Sequence, residues 1–318
     1  MDFSLSEEQT ALQATAKRFA EAELVEIARK VEQNDQPPGP DLVRRFAELG
    51  FLGVNLDPDY GGQGAGHLEA VLVLEEIAKV SPAVAFPVFE SCFGPVLAIQ
   101  HFAAESLKRR VIPDVCRGEM MIAVSMSEPD AGSALTDLKT HAVISDDRIV
   151  INGQKRWCSG AGHADAYVVY CRMSDEPGAK GIGAVLVERG REGLTFGERE
   201  RHMGFRGVTS ADMFFDNVEV STDNLIVGAG GFRRLMEAFD LERCGNTTMS
   251  LAIAQSAFDH VLGYVQERQQ FGKSSTPSRP LRASLRPGIT TCNFLHNTVG
   301  FHCKHFWQTH ILTQPPPP

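Results

Sequence analysis

The sequence predicts an α+β multidomain protein. An N-terminal α-helical domain spans residues 1–120, a middle β-barrel-like domain 121–228, and an incomplete C-terminal helical bundle 229–273. Three observations carry this expectation. At 318 residues the chain is too long for one ordinary core. Its apolar positions keep a helical period to about residue 120, alternate from 121 to 226, and turn helical again near Phe232. Finally, all 40 Asp and Glu residues lie before residue 274, so the tail 274–318 stands apart by composition.

In the first zone, Ser4-x-x-Glu7 offers a capping box for an amphipathic run through Leu12, Phe19 and Leu24. Gln36-Pro-Pro-Gly-Pro40 breaks that run, and a short helix from Leu42 to Leu49 is ended by Gly50. Asp57-Pro-Asp-Tyr-Gly-Gly-Gln-Gly64 reads as a loop, because clustered Gly and Pro favour turns. A long apolar helix is expected from His67 to Val80 and another from Phe93 to Phe102. In the second zone, Val143 to Ile151 makes two strands around a polar turn, and Asn152-Gly153 makes a second tight turn. Ala166–Tyr170, Ile182–Val187 and Met213–Val220 are further strands.

The last helix runs from Phe232 to Arg268. Residues 244–258 in it carry no charge, so they need other helices to cover them. A bundle needs several helices, and only one precedes the change at Lys273. The tail holds seven prolines, including Pro315–Pro318, and no surviving period, so it is expected to be disordered or translated out of frame. A metal site from Cys292, His296, His302, Cys303 and His305 matches no usual zinc spacing, and no metal is expected.

Bulk properties narrow the function. With 43% apolar and 22% charged residues the chain has the composition of a globular protein. A net charge of −9 with interleaved signs argues against nucleic acid or an anionic membrane as partner. No run of about 18 uncharged apolar residues exists, so no membrane span is expected. The start MDFSLSEEQT has acids where a leader needs bases, and the seven cysteines form no CxxC pair. Both point to a cytoplasmic protein with reduced thiols.

Four segments offer chemistry. Val124-Ser-Met-Ser-Glu-Pro-Asp-Ala-Gly-Ser133 combines small hydroxyls with glycine, which lets a ligand approach the backbone, although an ordinary loop has the same look. Trp157-Cys158-Ser159 sets a flat aromatic beside a hydroxyl, suited to a planar heterocycle or to plain core packing. Glu242 has Phe239, Gly245, Asn246, Met249 and Ile253 as helical neighbours. A carboxylate on that uncharged stripe would be desolvated into a better proton acceptor, unless it pairs with Arg243 or sits in a frayed first turn. Arg268-Gln-Gln-Phe-Gly-Lys273 is by itself helix-end punctuation.

Taken in order, these segments resemble the acyl-CoA dehydrogenase family from residue 1 to about 273. The series is LxxEQ near the start, Pro58-Asp-Tyr-Gly-Gly62, SEPDAGS where the family has TEPGAGS, and Ile151-Asn-Gly-Gln-Lys155 followed by WCS for WIT or WIS. Met203-Gly-Phe-Arg206, Phe215-Asp-Asn-Val-Glu-Val220 and Glu267-Arg-Gln-Gln-Phe-Gly-Lys273 complete it. The resemblance implies FAD, and α,β-desaturation of an acyl-CoA thioester with electrons passed to an electron-transferring flavoprotein.

It further implies that Val124, Met126, Ser127, Gly132 and Ser133 wrap the flavin, with Ser133 also near the pantetheine arm. Trp157 and Ser159 would meet the ring, while Arg268 and Gln270 would reach FAD, the arginine often in a neighbouring subunit. Phe239, Asp240 and Arg243 would face acyl-CoA. The family's usual downstream catalytic glutamate motif and its Gly-Gly-x-Gly segment are missing. Asp240-Leu-Glu-Arg243 matches instead the early base of isovaleryl- and long-chain-type enzymes, which makes Glu242 the candidate base. A homo-oligomer is expected if the bundle were complete. The competing expectation is a truncated or frameshifted, catalytically inactive relative. Acyl-CoA oxidation with oxygen and nitroalkane oxidation are related chemistries on the same fold.

Overall fold

A computed structural model describes residues 4–270 and 272–274. Two helices, α1 (Glu7–Phe19) and α2 (Val25–Asn34), join through a π-helical turn, Ala20–Leu24. The capping box is shifted from the expected one. Ser6 is the N-cap and Gln9 its reciprocal partner, because the helix starts two residues later than a Ser4 cap would set it. After α2, Asp35 takes a left-handed conformation, and its carboxylate accepts hydrogen bonds from Arg199 Nη2 (2.7 Å) and Gly207 N (2.9 Å). The helix end is thereby tied to the middle domain.

The helices α3 (Pro40–Glu48), α4 (His67–Val80), α5 (Pro82–Cys92), α6 (Val96–Phe102) and α7 (Glu105–Cys116) follow. The helix expected from Phe93 starts at Val96, and α5 and α7 were not expected from the sequence. Helix α5 contains Pro87 and is buried on every side, so it carries no amphipathic period to detect. The Pro82–Phe102 stretch is apolar enough for a membrane span, yet 94% of its most apolar window is buried inside the protein. It is a core element here.

The middle domain holds β1 (Ile122–Ser125), β2 (His141–Ser145), β3 (Arg148–Ser159), β4 (Ala166–Arg172), β5 (Ile182–Glu188), β6 (Leu194–Phe196), β7 (Ser210–Ser221) and β8 (Leu225–Val227). They form one sheet in the order β6-β7-β3-β2-β4-β5-β8, with β1 parallel to β4. Asn152-Gly153 is not a hairpin turn. Strand β3 runs straight through it, opposite a bulge in β7 where Asn217 has φ 50°. A Cβ at Gly153 would stand 2.6 Å from Thr140 Cα, so close strand contact, and not a chain reversal, demands this glycine.

Strand β4 is apolar on both faces because both faces are covered. Ala166, Val168 and Tyr170 join a cluster with α6, α7 and the start of the last helix, α8 (Phe232–Glu267). Tyr167, Val169 and Cys171 join a second cluster with Ile149, Ile151, Val185, Met213 and Val220 from β3, β5 and β7. The sheet thus curls round its own core in a barrel-like way, with β6 and β8 left as edges.

Helix α8 is not without partners. Its first half packs on α4, α5 and α6, burying Leu241, Cys244, Met249 and Ala252. At Gly245 the approach is tight: a Cβ there would lie 2.8 Å from Phe89 and 2.9 Å from Phe93. Farther along, Ile253, Val261 and Tyr264 are exposed, so the apolar stripe expected to continue through Ile253 ends before it. A two-residue ladder, β9 (Gln269–Gln270) with β10 (Lys273–Ser274), closes the described chain. The five Cys and His residues weighed as metal ligands, with nearly all of the 274–318 tail, lie outside the described residues.

Candidate functional site

The loop after β1 is fixed by buried charge. Lys155, fully buried in β3, donates from Nζ to Met126 O and to Glu128 Oε1, each at 2.8 Å. The Glu128 carboxylate also accepts from Lys139 N (2.6 Å) and Thr140 N (2.9 Å). Burial works against its charge, but Lys155 and these N–H groups hold the carboxyl below its ordinary range. Arg156 N donates to Ser127 O (2.8 Å), and Cys158 Sγ to Val124 O (3.2 Å). Lys155, Arg156 and Cys158 of β3 and the segment 124–128 are therefore sewn together by short contacts.

Within this stitching β3 bulges. Lys155 pairs with Met213 and Cys158 with Ala211, so Arg156 and Trp157 oppose the single residue Asp212. Trp157 consequently has φ 56° and is 57% exposed, under the guanidinium of Arg156 at 5.0 Å. A non-glycine residue in the left-handed region costs on the order of 1 kcal/mol. Here the strain holds a flat aromatic face out of the core. Neither the Ser127 nor the Ser159 hydroxyl bonds to another described residue.

Beside this surface lies a cavity of about 170 Å³. Strand β3 contributes Trp157 and Ser159, the β1 loop Val124, Met126 and Ser127, and α8 contributes Glu242, Asn246 and Met249. Helix α5 closes it with Phe86, Phe89 and Glu90. The volume is below the roughly 300–1,000 Å³ of a whole-ligand pocket, so it has room for only part of a ligand. Its aromatic wall is a ladder, with Phe86–Phe89 centroids 6.0 Å apart, Phe89–Phe93 6.4 Å and Phe86–Phe205 5.9 Å.

Glu242 is only 9% exposed. Its neighbour Arg243 does not pair with it. Arg243 forms an ion pair with Asp240 and lies 4.7 Å over the Phe239 ring. Burial pushes the Glu242 carboxyl up to about 8, with Arg243 only partly opposing. The frayed first turn is excluded too, since α8 begins at Phe232. Glu90 was missed from sequence. It is the only acid between residues 77 and 104, a lone charge in an apolar stretch, and that isolation was the available signal. Burial, and then Glu242, raise its carboxyl well above the usual range.

Of the residues expected at the site, Val124, Met126, Ser127, Trp157, Ser159 and Glu242 line one cavity. Gly132 and Ser133 lie outside it, on an exposed loop where a Cβ at Gly132 would meet nothing within 4 Å. Phe239, Asp240 and Arg243 flank Glu242 on α8, outside the cavity lining. Arg268 and Gln270 are not brought there. At 1.5 Å per residue, Arg268 sits roughly 39 Å along the helix axis from Glu242.

Against known proteins, three consecutive domains match. These are the acyl-CoA dehydrogenase N-terminal domain over residues 6–119, the middle domain over 123–218, and the C-terminal domain over 229–284, which runs past Lys273. The acryloyl-CoA reductase (NADH) of Anaerotignum propionicum is 34% identical over 276 residues, which is 86% of this chain and 70% of that protein. The acyl-CoA dehydrogenase of Bacillus subtilis (strain 168) is 30% identical over 296 residues, 93% of this chain and 78% of that one. The butyryl-CoA dehydrogenase structure from Megasphaera elsdenii aligns with a TM-score of 0.91 at 26% identity, covering 97% of this chain and 82% of that chain. Sequence and fold agree across both folded domains and into α8, and this chain belongs to the acyl-CoA dehydrogenase family.

Proposed function

We propose that the chain binds FAD and desaturates an acyl-CoA thioester between its α and β carbons, with Glu242 as the base. The observation that carries this is a carboxyl with affinity raised to about 8, lining the same 170 Å³ cavity as Trp157, Ser127 and Ser159. Trp157, Ser127 and Ser159 would hold FAD, which would supply the redox chemistry as acceptor for the β-hydrogen. The residues present fit it. Trp157 offers a strained, exposed aromatic face, two unengaged hydroxyls flank it, and Gly132 faces open space near which a pyrophosphate could lie against Ser133.

Glu242 would take the α-proton from a carbon held against the cavity wall, and the aromatic ladder on α5 would exclude water from it. Phe239, Asp240 and Arg243, just outside, would meet the thioester's polar arm. Arg268 and Gln270 are too distant to act in their own chain's cavity, which supports a role toward a second copy in a homo-oligomer. Electrons would leave to an electron-transferring flavoprotein.

A second direction is favoured by the Glu242 carboxyl itself. With an affinity near 8 it is mostly protonated at neutral pH, ready to give a proton to the α carbon of an enoyl-CoA. Anaerobic bleaching of the flavin by acyl-CoA tests the first direction. Its rate should rise tenfold per pH unit up to about 8 and then level, whereas enoyl-CoA reduction should stay level below about 8 and fall above it. Absence of FAD binding, or of any α-proton exchange, would overturn the proposal.

A further inference from the structure

Glu90 is not used by this chemistry. It lies on α5, 5% exposed, and its Oε2 has no hydrogen-bond partner. No described lysine or arginine pairs with it. The carboxyl fits where it is only because residue 94 is glycine, since a Cβ there would stand 2.4 Å from Oε2. Such a buried, unmatched acid is costly, and structures retain one where something else completes it.

Its position indicates what that is. Glu90 and Phe86 line the cavity that holds Glu242, and both also line a second cavity of about 300 Å³. The second cavity is walled mainly by apolar groups, among them Leu52, Pro87, Val115, Ile122 and Val208. Glu90 therefore stands in the wall between the reacting centre and the next space that a chain could enter. A plain alkyl tail passing it would seal the carboxyl against hydrocarbon and leave its oxygens unpaired. A hydroxyl would answer it, because a protonated carboxyl both donates and accepts.

Charged tails fit less well. A carboxylate would add negative charge beside a base that must itself ionise. An ammonium would require Glu90 to ionise against the burial that favours its neutral form, a desolvation cost that the new ion pair must first repay.

We propose that the acyl group accepted here carries an uncharged hydroxyl on its tail, which hydrogen-bonds Glu90 as the chain passes toward the second cavity. This rests on the acyl-CoA reading above. A site built to pair a substrate hydroxyl discriminates strongly against the analogue that lacks it.

The test is calorimetric titration of the full chain with S-alkyl-CoA thioethers, which have no carbonyl and do not react. The alkyl groups run from butyl to octyl, each plain, ω-hydroxylated or ω-aminated. The hydroxylated ligand should bind at least about tenfold tighter than its plain partner at one or more lengths. That preference should vanish in Glu90→Leu and persist in Glu90→Gln, with far-UV circular dichroism confirming the fold of each. Equal binding of plain and hydroxylated chains at every length overturns the Glu90 assignment alone. So does a preference that survives in Glu90→Leu, or tighter binding of the amino series. If no thioether binds, the acyl-CoA reading itself falls.

Discussion

Replacing Glu242 with glutamine should change stability by an amount that depends on pH, because only the native carboxyl is held out of water. The groups facing it are Glu90 from α5, Arg156 and Cys158 from β3, Tyr170 from β4 and Arg243 on its own helix. None of them forms an ion pair with it. Its carboxyl rises from an ordinary 4.5 to about 8. At about 1.4 kcal/mol per tenfold change in proton affinity, that is on the order of 5 kcal/mol. The sign follows from the direction. The folded state holds its proton more tightly, so the contribution is fully present below about 4.5 and is lost as pH rises to about 8. Glutamine keeps the shape without titrating, and its own burial cost does not vary with pH. Urea unfolding of both proteins at pH 4.5 and 8.5 should therefore diverge. The glutamine variant should gain on wild type by several kcal/mol between the two, while α-proton exchange with acyl-CoA disappears. Parallel pH dependences would refute the burial argument, and undiminished exchange would refute the role as base.

Other substitutions probe the scaffold. Trp157→Gly removes a mostly exposed side chain and relieves its positive φ, so stability should change by less than about 1 kcal/mol while FAD affinity, followed by flavin fluorescence, drops at least about tenfold. Lys155→Met strands the Glu128 carboxylate in the interior and should cost about 3–5 kcal/mol in urea unfolding. Adding Glu128→Gln should recover part of that, and a purely additive double variant would contradict the coupling. Gly245→Ala gains helix propensity of up to about 1 kcal/mol but meets two rigid rings at 2.8 and 2.9 Å, so net destabilisation of about 1–2 kcal/mol is expected in thermal melts.

Much of the fold was legible in the sequence. Helix α4 is bounded at His67 and Val80 as expected, and α8 ends one residue before the expected Arg268. What failed did so for identifiable reasons. Helix α5 was invisible because burial on all sides erases amphipathic period, and its internal proline reads as a breaker. Asn152-Gly153 was taken for a turn because the dipeptide is compatible with one, and only the partner strand showed that its glycine makes room for Thr140.

The candidate site divides along the same line. Its β-domain half, with Ser127, Trp157 and Ser159, was readable as ordered motifs, since loop and strand chemistry is local. The sequence also placed Glu242 on an uncharged helical stripe, but it could not choose between a buried base and a partner for Arg243. Tertiary packing decided that by turning Arg243 toward Asp240 and Phe239 while Gly245 drew α8 onto α5. The same packing put Glu90 in the wall of the cavity. Desolvation depends on what surrounds a group from distant parts of the chain. Sequence alone therefore fixed which carboxyls exist, and the fold determined which of them lost their water.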